Sequence, residues 1–182
     1  MKSFICKLVL FLSPLIIYLL FIILKDPFKI IHKTENYNEE TFVALNRGHM
    51  CTNIFNKNRK TIKYNSFIFG NSRSIAFKCE KWDEYLNKDA ISFHYDGAFE
   101  GIYGINKKIK YIDSLNFNLN NVLIILDNEV LTKTSDDKRH LYTLSPVLNN
   151  SSYFSFLEKH LKICLDYNFI VGIIDYSLFN TF

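Results

Sequence analysis

The 182-residue sequence is poor in residues that break or staple a chain, with 3 prolines, 6 glycines and 4 cysteines. So little Pro and Gly excludes collagen-like structure and leaves little material for long flexible linkers. Cys6, Cys51, Cys79 and Cys164 show no C-x-x-C spacing, and no pair precedes histidines at finger spacing. That argues against a zinc ligand set, and no metal or cofactor is implied. Cys6 lies at the membrane end of the chain, and Cys51, Cys79 and Cys164 read as small core hydrophobes, with one disulfide among them the alternative. An excess of one charge is also missing. The 22 basic and 18 acidic residues are interspersed for a net charge of +4. No dense basic block with interleaved aromatics is present, so a nucleic-acid partner is not expected. Hydrophobic residues at 48% against 22% charged exclude disorder. The 17 Phe and 11 Tyr can fill a core, and the length suits one domain with an appendage.

One long apolar run stands out. Residues 8–24 read LVLFLSPLIIYLLFIIL without a charge. Extended back past Lys7 to Ile5, the run approaches the ~20 residues that cross ~30 Å of hydrocarbon. A signal peptide would have a shorter apolar region followed by small residues at a cleavage site. Here KDPFKII follows, so residues 1–25 read as an uncleaved single-pass anchor. A buried core helix is the alternative, although such a helix usually keeps a polar face. Pro14 is tolerable in a spanning helix. Lysines flank both ends, so the positive-inside rule does not orient the anchor.

Residues 26–63 are polar and irregular, and read as a connector with a short helix near 39–46. A regular pattern begins at residue 64. Residues 66–69 form a short apolar strand ended by Gly70, and 74–86 carry helical spacing. Residues 90–93 form a second strand, closed by HYDG. Residues 101–115 place Ile102, Ile105, Ile109 and Ile112 on one stripe, a helix. Residues 122–126, VLIIL, read as the clearest buried strand. Residues 152–167 are helical, and 169–174, FIVGII, are either a fourth strand or a continuation of that helix.

Uniformly apolar strands alternating with amphipathic helices argue a parallel sheet covered on both faces. The expected fold is therefore α/β: an N-terminal transmembrane helix, then a small flavodoxin-like three-layer domain over 64–182. If 169–174 is a strand, the sheet has about four, small for such a fold, and the domain is either complete in itself or the first part of a longer one.

In such sheets working residues gather beyond the carboxyl ends of strands. Three places qualify. In Gly70-Asn71-Ser72-Arg73-Ser74 a serine follows a strand and precedes a helix, the setting of an exposed nucleophile. Helix capping by Asn71 or Ser72 is the plainer reading. In 94–101, HYDGAFEG, a glycine amide can face an oxyanion, and Asp96-Gly97 can equally be a turn corner. His94 is a candidate base or a turn residue. At Asp127-Asn128-Glu129 a side-chain amide can add a donor, or simply cap the next stretch of chain. Phosphate binding at the serine turn lacks both the P-loop lysine and a G-x-G-x-x-G pattern.

Taken together, strand-GNSRS, strand-glycine turn and strand-DN resemble the first three blocks of the SGNH (GDSL-like) hydrolase superfamily. The resemblance covers roughly 64–130. It is nearest to the membrane-anchored branch related to bacterial polysaccharide and teichoic-acid acyl-transfer proteins. It implies Ser72 as nucleophile, with an oxyanion hole from its amide and that of Gly97 or Gly101, and Asn128 as a third donor. Asn128 departs from the usual GxND form. The implied activity is that of an esterase or O-acyltransferase on acylated envelope glycans, with the soluble domain on the extracytoplasmic side. The superfamily's base comes from a C-terminal DxxH. The letters occur here at Asp137 and His140, close behind the third strand and too early for that order. Without a base a serine hydroxyl is a poor nucleophile. The other reading is therefore a non-catalytic tethered module that binds a glycan or protein partner.

Overall fold

The structure, a computed structural model, describes residues 2–32 and 43–179. It begins with α1 (Lys2–Lys25). The stretch Phe4–Lys25 is apolar and long enough to cross a membrane, and only 6% of its most apolar window is buried. The chain then continues through α2 (Arg47–Asn58) to β1 (Ser66–Phe69). A 3-10 helix (Ser72–Ala76) and α3 (Cys79–Asp83) lead to β2 (Ser92–His94). Next come α4 (Ile102–Ser114), β3 (Asn121–Ile124) and α5 (Asn128–Thr132). Three helices follow: α6 (Pro146–Asn149), α7 (Tyr153–Cys164) and α8 (Tyr167–Phe179).

The sheet is parallel, with strand order β2-β1-β3. Ile68 pairs with His94 on one side and Leu123 on the other. Successive strand residues face opposite ways, so Phe67 and Phe69 share one face while Ile68 takes the other. All three are wholly buried. The Phe67 and Phe69 face carries the main core, with Cys51 and Phe55 of α2 and Ile105 and Ile112 of α4. Phe55 is its centre. Its ring lies 5.3 Å from those of Phe93 and Tyr95 and 5.9 Å from that of Phe67.

Several expectations are corrected by this packing. The polar stretch expected to be an irregular connector supplies α2, started by Asn46, whose Oδ1 accepts from His49 N at 3.0 Å. Its apolar stripe, Met50, Cys51, Ile54 and Phe55, is narrow and set among Asn, Lys and Arg. Of the helix expected near 39–46, residues 39–42 lie outside the described residues and 43–46 are not helical. The helix expected over 74–86 is divided into the 3-10 helix and α3. The run 122–126 is not a wholly buried strand. It overlaps β3, an outer strand among those described, with Val122 exposed in the strand and Leu126 exposed beyond it. The run 169–174 lies within α8, so the sheet has three strands among the described residues, not four.

A second, smaller cluster forms where α1 ends. Ile22, Phe28 and Ile30 pack with Phe156 and Cys164 of α7 and Ile173 of α8. Asp26 fixes the turn between them, as its carboxylate accepts from the amides of Ile30, Ile31 and His32 at 3.0, 2.8 and 2.6 Å.

Candidate functional site

The turn after β1 is held closed from beneath. Gly70 is required there by close approach, since a Cβ would lie 2.7 Å from Ser74 Cβ and 3.2 Å from Ile125 Cβ. Ser74 is wholly buried, and its Oγ donates to Asn71 O at 2.7 Å. With that one proton committed, His94 Nε2, 2.9 Å from Ser74 Oγ, is the donor to Ser74. His94 then carries a proton on Nε2. Burial, offset by Asp96, pushes its pKa down.

Ser72 opens the 3-10 helix and is exposed. A five-residue 3-10 helix supplies much less dipole than the long helix expected there. Among the described residues its hydroxyl makes no hydrogen bond. Its two neighbours are instead tied to the end of β3. Asn71 Nδ2 donates to Asp127 Oδ2 at 2.7 Å, and Arg73 Nη1 donates to the same oxygen at 2.8 Å. Asn71 Oδ1 turns back to cap Arg73 N at 2.9 Å. Asp127 Oδ1 accepts from Val130 N at 2.8 Å and starts α5. That amide first, then Asn71 and Arg73, hold the Asp127 carboxyl below the usual carboxylate range.

The two candidate glycines sit differently. Gly97 N donates to Gly70 O at 3.3 Å, extending the β1–β2 ladder beyond the strands. This amide is therefore engaged by backbone. Gly101 precedes α4, and a Cβ there would fall 2.1 Å from Lys133 Cβ. Both glycines line a cavity of about 370 Å³ with Asn46, Lys133, Asp136 and Tyr142. Ser72 is not in its wall. Asn128 is exposed at the first position of α5, where its neighbour Asp127 is the cap. The structure thus joins Asn71, Arg73 and Asp127 into one network and fastens Gly97 to Gly70. It makes no bond from any of these to Ser72 Oγ.

Asp137 and His140 do not form a pair. Asp137 accepts from Arg139 Nη2 at 2.6 Å, and Arg139 holds its carboxyl down at about 2. His140 lies edge-on to Phe28 and His160, with centroids 5.3 and 5.6 Å apart. The remaining histidines are engaged too. His49 stands between Ser145 Oγ at 3.0 Å and Asn53 Nδ2 at 3.1 Å. His160 Nδ1 is 2.8 Å from Phe156 O, and His32 lies 3.4 Å from Asp26. Among the described residues, no group of His, Cys, Asp and Glu is arranged to hold a metal ion.

Two ion pairs, one buried on both sides and one with a half-buried arginine, escaped the sequence reading. Lys108 is wholly buried, donating to Glu100 Oε2 at 2.6 Å and to the carbonyls of Asp96 and Tyr95 at 2.8 and 3.2 Å. Burial raises the Glu100 pKa against the opposing pull of Lys108. Arg47 Nε meets Asp96 Oδ2 at 2.5 Å. A signal for the first existed: Lys108 lies on the stripe of Ile105, Ile109 and Ile112. Nothing local marks the second.

These features define an α/β protein with a parallel sheet whose carboxyl edge carries a serine turn braced by an Asn–Arg–Asp network. No family model matches the chain, and neither does any curated protein or solved structure.

Proposed function

We propose that this chain is a membrane-anchored, SGNH-like scaffold for acyl transfer on acylated envelope glycans, with α1 as a single-pass anchor and the sheet on the extracytoplasmic side. The acyl carbonyl is attacked by Ser72 Oγ, the serine's proton passes to a base, and the alcohol leaves. Water or a sugar hydroxyl then releases the acyl group. The observation that carries this reading is Ser72 itself, exposed at the carboxyl end of the central strand, where parallel sheets place their ligands. The order β2-β1-β3 also matches the start of the flavodoxin-like order 2-1-3-4-5, whose switch point falls between β1 and β3. The Asn71–Asp127 bond spans that point.

A second reading is favoured by one specific observation: all five histidines are engaged away from Ser72. On the acyl-transfer reading the base comes from outside the described residues. On the second reading the chain is a tethered module that binds a glycan or protein partner without turnover.

The discriminating experiment treats the full chain, reconstituted in phospholipid vesicles, with a fluorophosphonate that phosphonylates activated serines. Labelling that disappears in Ser72→Ala supports acyl transfer. A folded wild type that stays unlabelled overturns it. Binding of an acylated glycan without deacylation would then select the module.

A further inference from the structure

Three features stand apart from the serine turn. The cavity near Gly97 is lined by mixed charges, and the rings of Phe99 and Tyr142 are covered by Lys133 and Arg139. The buried Lys108 finds an acceptor for each of its three donors. The third, an apolar groove between α1 and α8, goes further.

The chain turns back on itself after α7. Phe169, at the start of α8, stacks on Phe28 just beyond α1, with centroids 5.4 Å apart. Ile170, Ile173 and Ile174 then share a groove of about 640 Å³ with Ile17, Tyr18 and Phe21 and reach Pro14. Thus α8 runs back along α1 from its Lys25 end towards its middle. Pro14 is 11 residues from Lys25, about 16 Å at 1.5 Å per residue, or roughly half the ~30 Å hydrocarbon thickness. Tyr18 Oη also donates to Cys164 O at 2.5 Å, joining the α7–α8 corner to α1. Ile17 on α1 and Ile174 on α8 both line the groove and are exposed, as are Leu15, Ile16 and Leu20 of α1.

We propose that α8 is a second membrane element, lying beside α1 in the leaflet on the Lys25 side, and that lipid acyl chains fill the α1–α8 groove. The proposal rests on the anchor reading of α1. Water cannot cover this groove favourably, whereas hydrocarbon covers it at no cost in hydrogen bonds, because a helix satisfies its own backbone. Length sets the depth: 13 residues span about 20 Å, too short to cross. Asp175, exposed one position beyond Ile174, sets the same limit. A carboxylate is disfavoured at the bilayer centre, so α8 stays within the leaflet on the Lys25 side.

The test places an environment-sensitive fluorophore on single cysteines in the full chain, with the accessible Cys6 and Cys79 replaced by serine. The positions are Ile17→Cys, Ile174→Cys and, as an aqueous control, Lys57→Cys. The protein is reconstituted in phosphatidylcholine–phosphatidylglycerol vesicles and quenched either by nitroxide on the acyl chain or by aqueous iodide. The expected result is acyl-chain quenching at 17 and 174 with several-fold weaker iodide quenching than at 57. Acyl quenching at 17 with iodide quenching at 174 overturns the α8 proposal and leaves the anchor standing. Iodide quenching at both positions overturns the anchor as well. A probe at 174 reached by neither quencher shows protein filling the groove, which also overturns the proposal.

Discussion

Asn71 Nδ2 donates to Asp127 Oδ2 at 2.7 Å, so the turn after the central strand and the end of its neighbour share one carboxylate. Asn71 is 2% exposed and also caps the 3-10 helix through its Oδ1. Replacing it by alanine removes a cap and leaves Asp127 with one partner fewer. Asn71→Ala is expected to cost about 1–2 kcal/mol, read as a lower urea midpoint with an unchanged slope.

The two serines of the turn separate stability from chemistry. Ser74→Ala deletes a buried hydroxyl that joins Asn71 O to His94 and is expected to cost about 1–2 kcal/mol. Ser72→Ala removes an exposed hydroxyl and should stay within about 0.5 kcal/mol of the parent. Thermal melts of the two variants side by side check the ordering. A larger loss from Ser72 than from Ser74 would sink this account of the turn.

Lys108 is the most demanding polar residue in the core. Lys108→Met leaves the Glu100 carboxyl buried without its cation, and breaking such a pair costs about 3–5 kcal/mol. The double variant Lys108→Met/Glu100→Gln removes the stranded charge and should regain part of the loss. A double-mutant cycle in urea measures the coupling.

Stability should fall on mild acidification. Burial first, then His160, hold the His49 pKa down at about 4, against some opposing pull from Asp26. An unfolded histidine titrates near 6.5. The unfolded chain therefore takes up the proton first, so stability is full above pH 6.5 and is lost as pH falls towards 4. The fall from 6.5 to about 4 corresponds to about 3 kcal/mol. His94, His140 and His160 are shifted in the same direction. Asp137, held at about 2 by Arg139, acts only below its unfolded value near 4, outside this window. Urea melts between pH 7 and 4 check the slope, and His49→Asn should flatten it.

Hydrophobic periodicity alone determined much of this molecule. The apolar run of α1, the stripe of α4, the run of β1 and the period of α7 are local patterns, and each forms the element that its spacing dictates. The exposed Ser72 turn was legible for the same reason, since Gly70 and Asn71 act on their immediate neighbours. The tertiary structure decided what depends on distant partners. The polar stretch before β1 became α2 because Phe55 finds the rings of Tyr64, Phe93 and Tyr95. The apolar run 169–174 became part of α8 because α1 offered it a surface. His94 joined Ser74, and not Ser72, because β2 pairs beside β1 with His94 opposite Ile68. Asp137 and His140 stayed apart because Arg139 and Phe28 hold them separately. Spacing along a chain specifies which face a side chain takes; strand register and the packing of helices bring residues twenty or more positions apart within hydrogen-bonding distance.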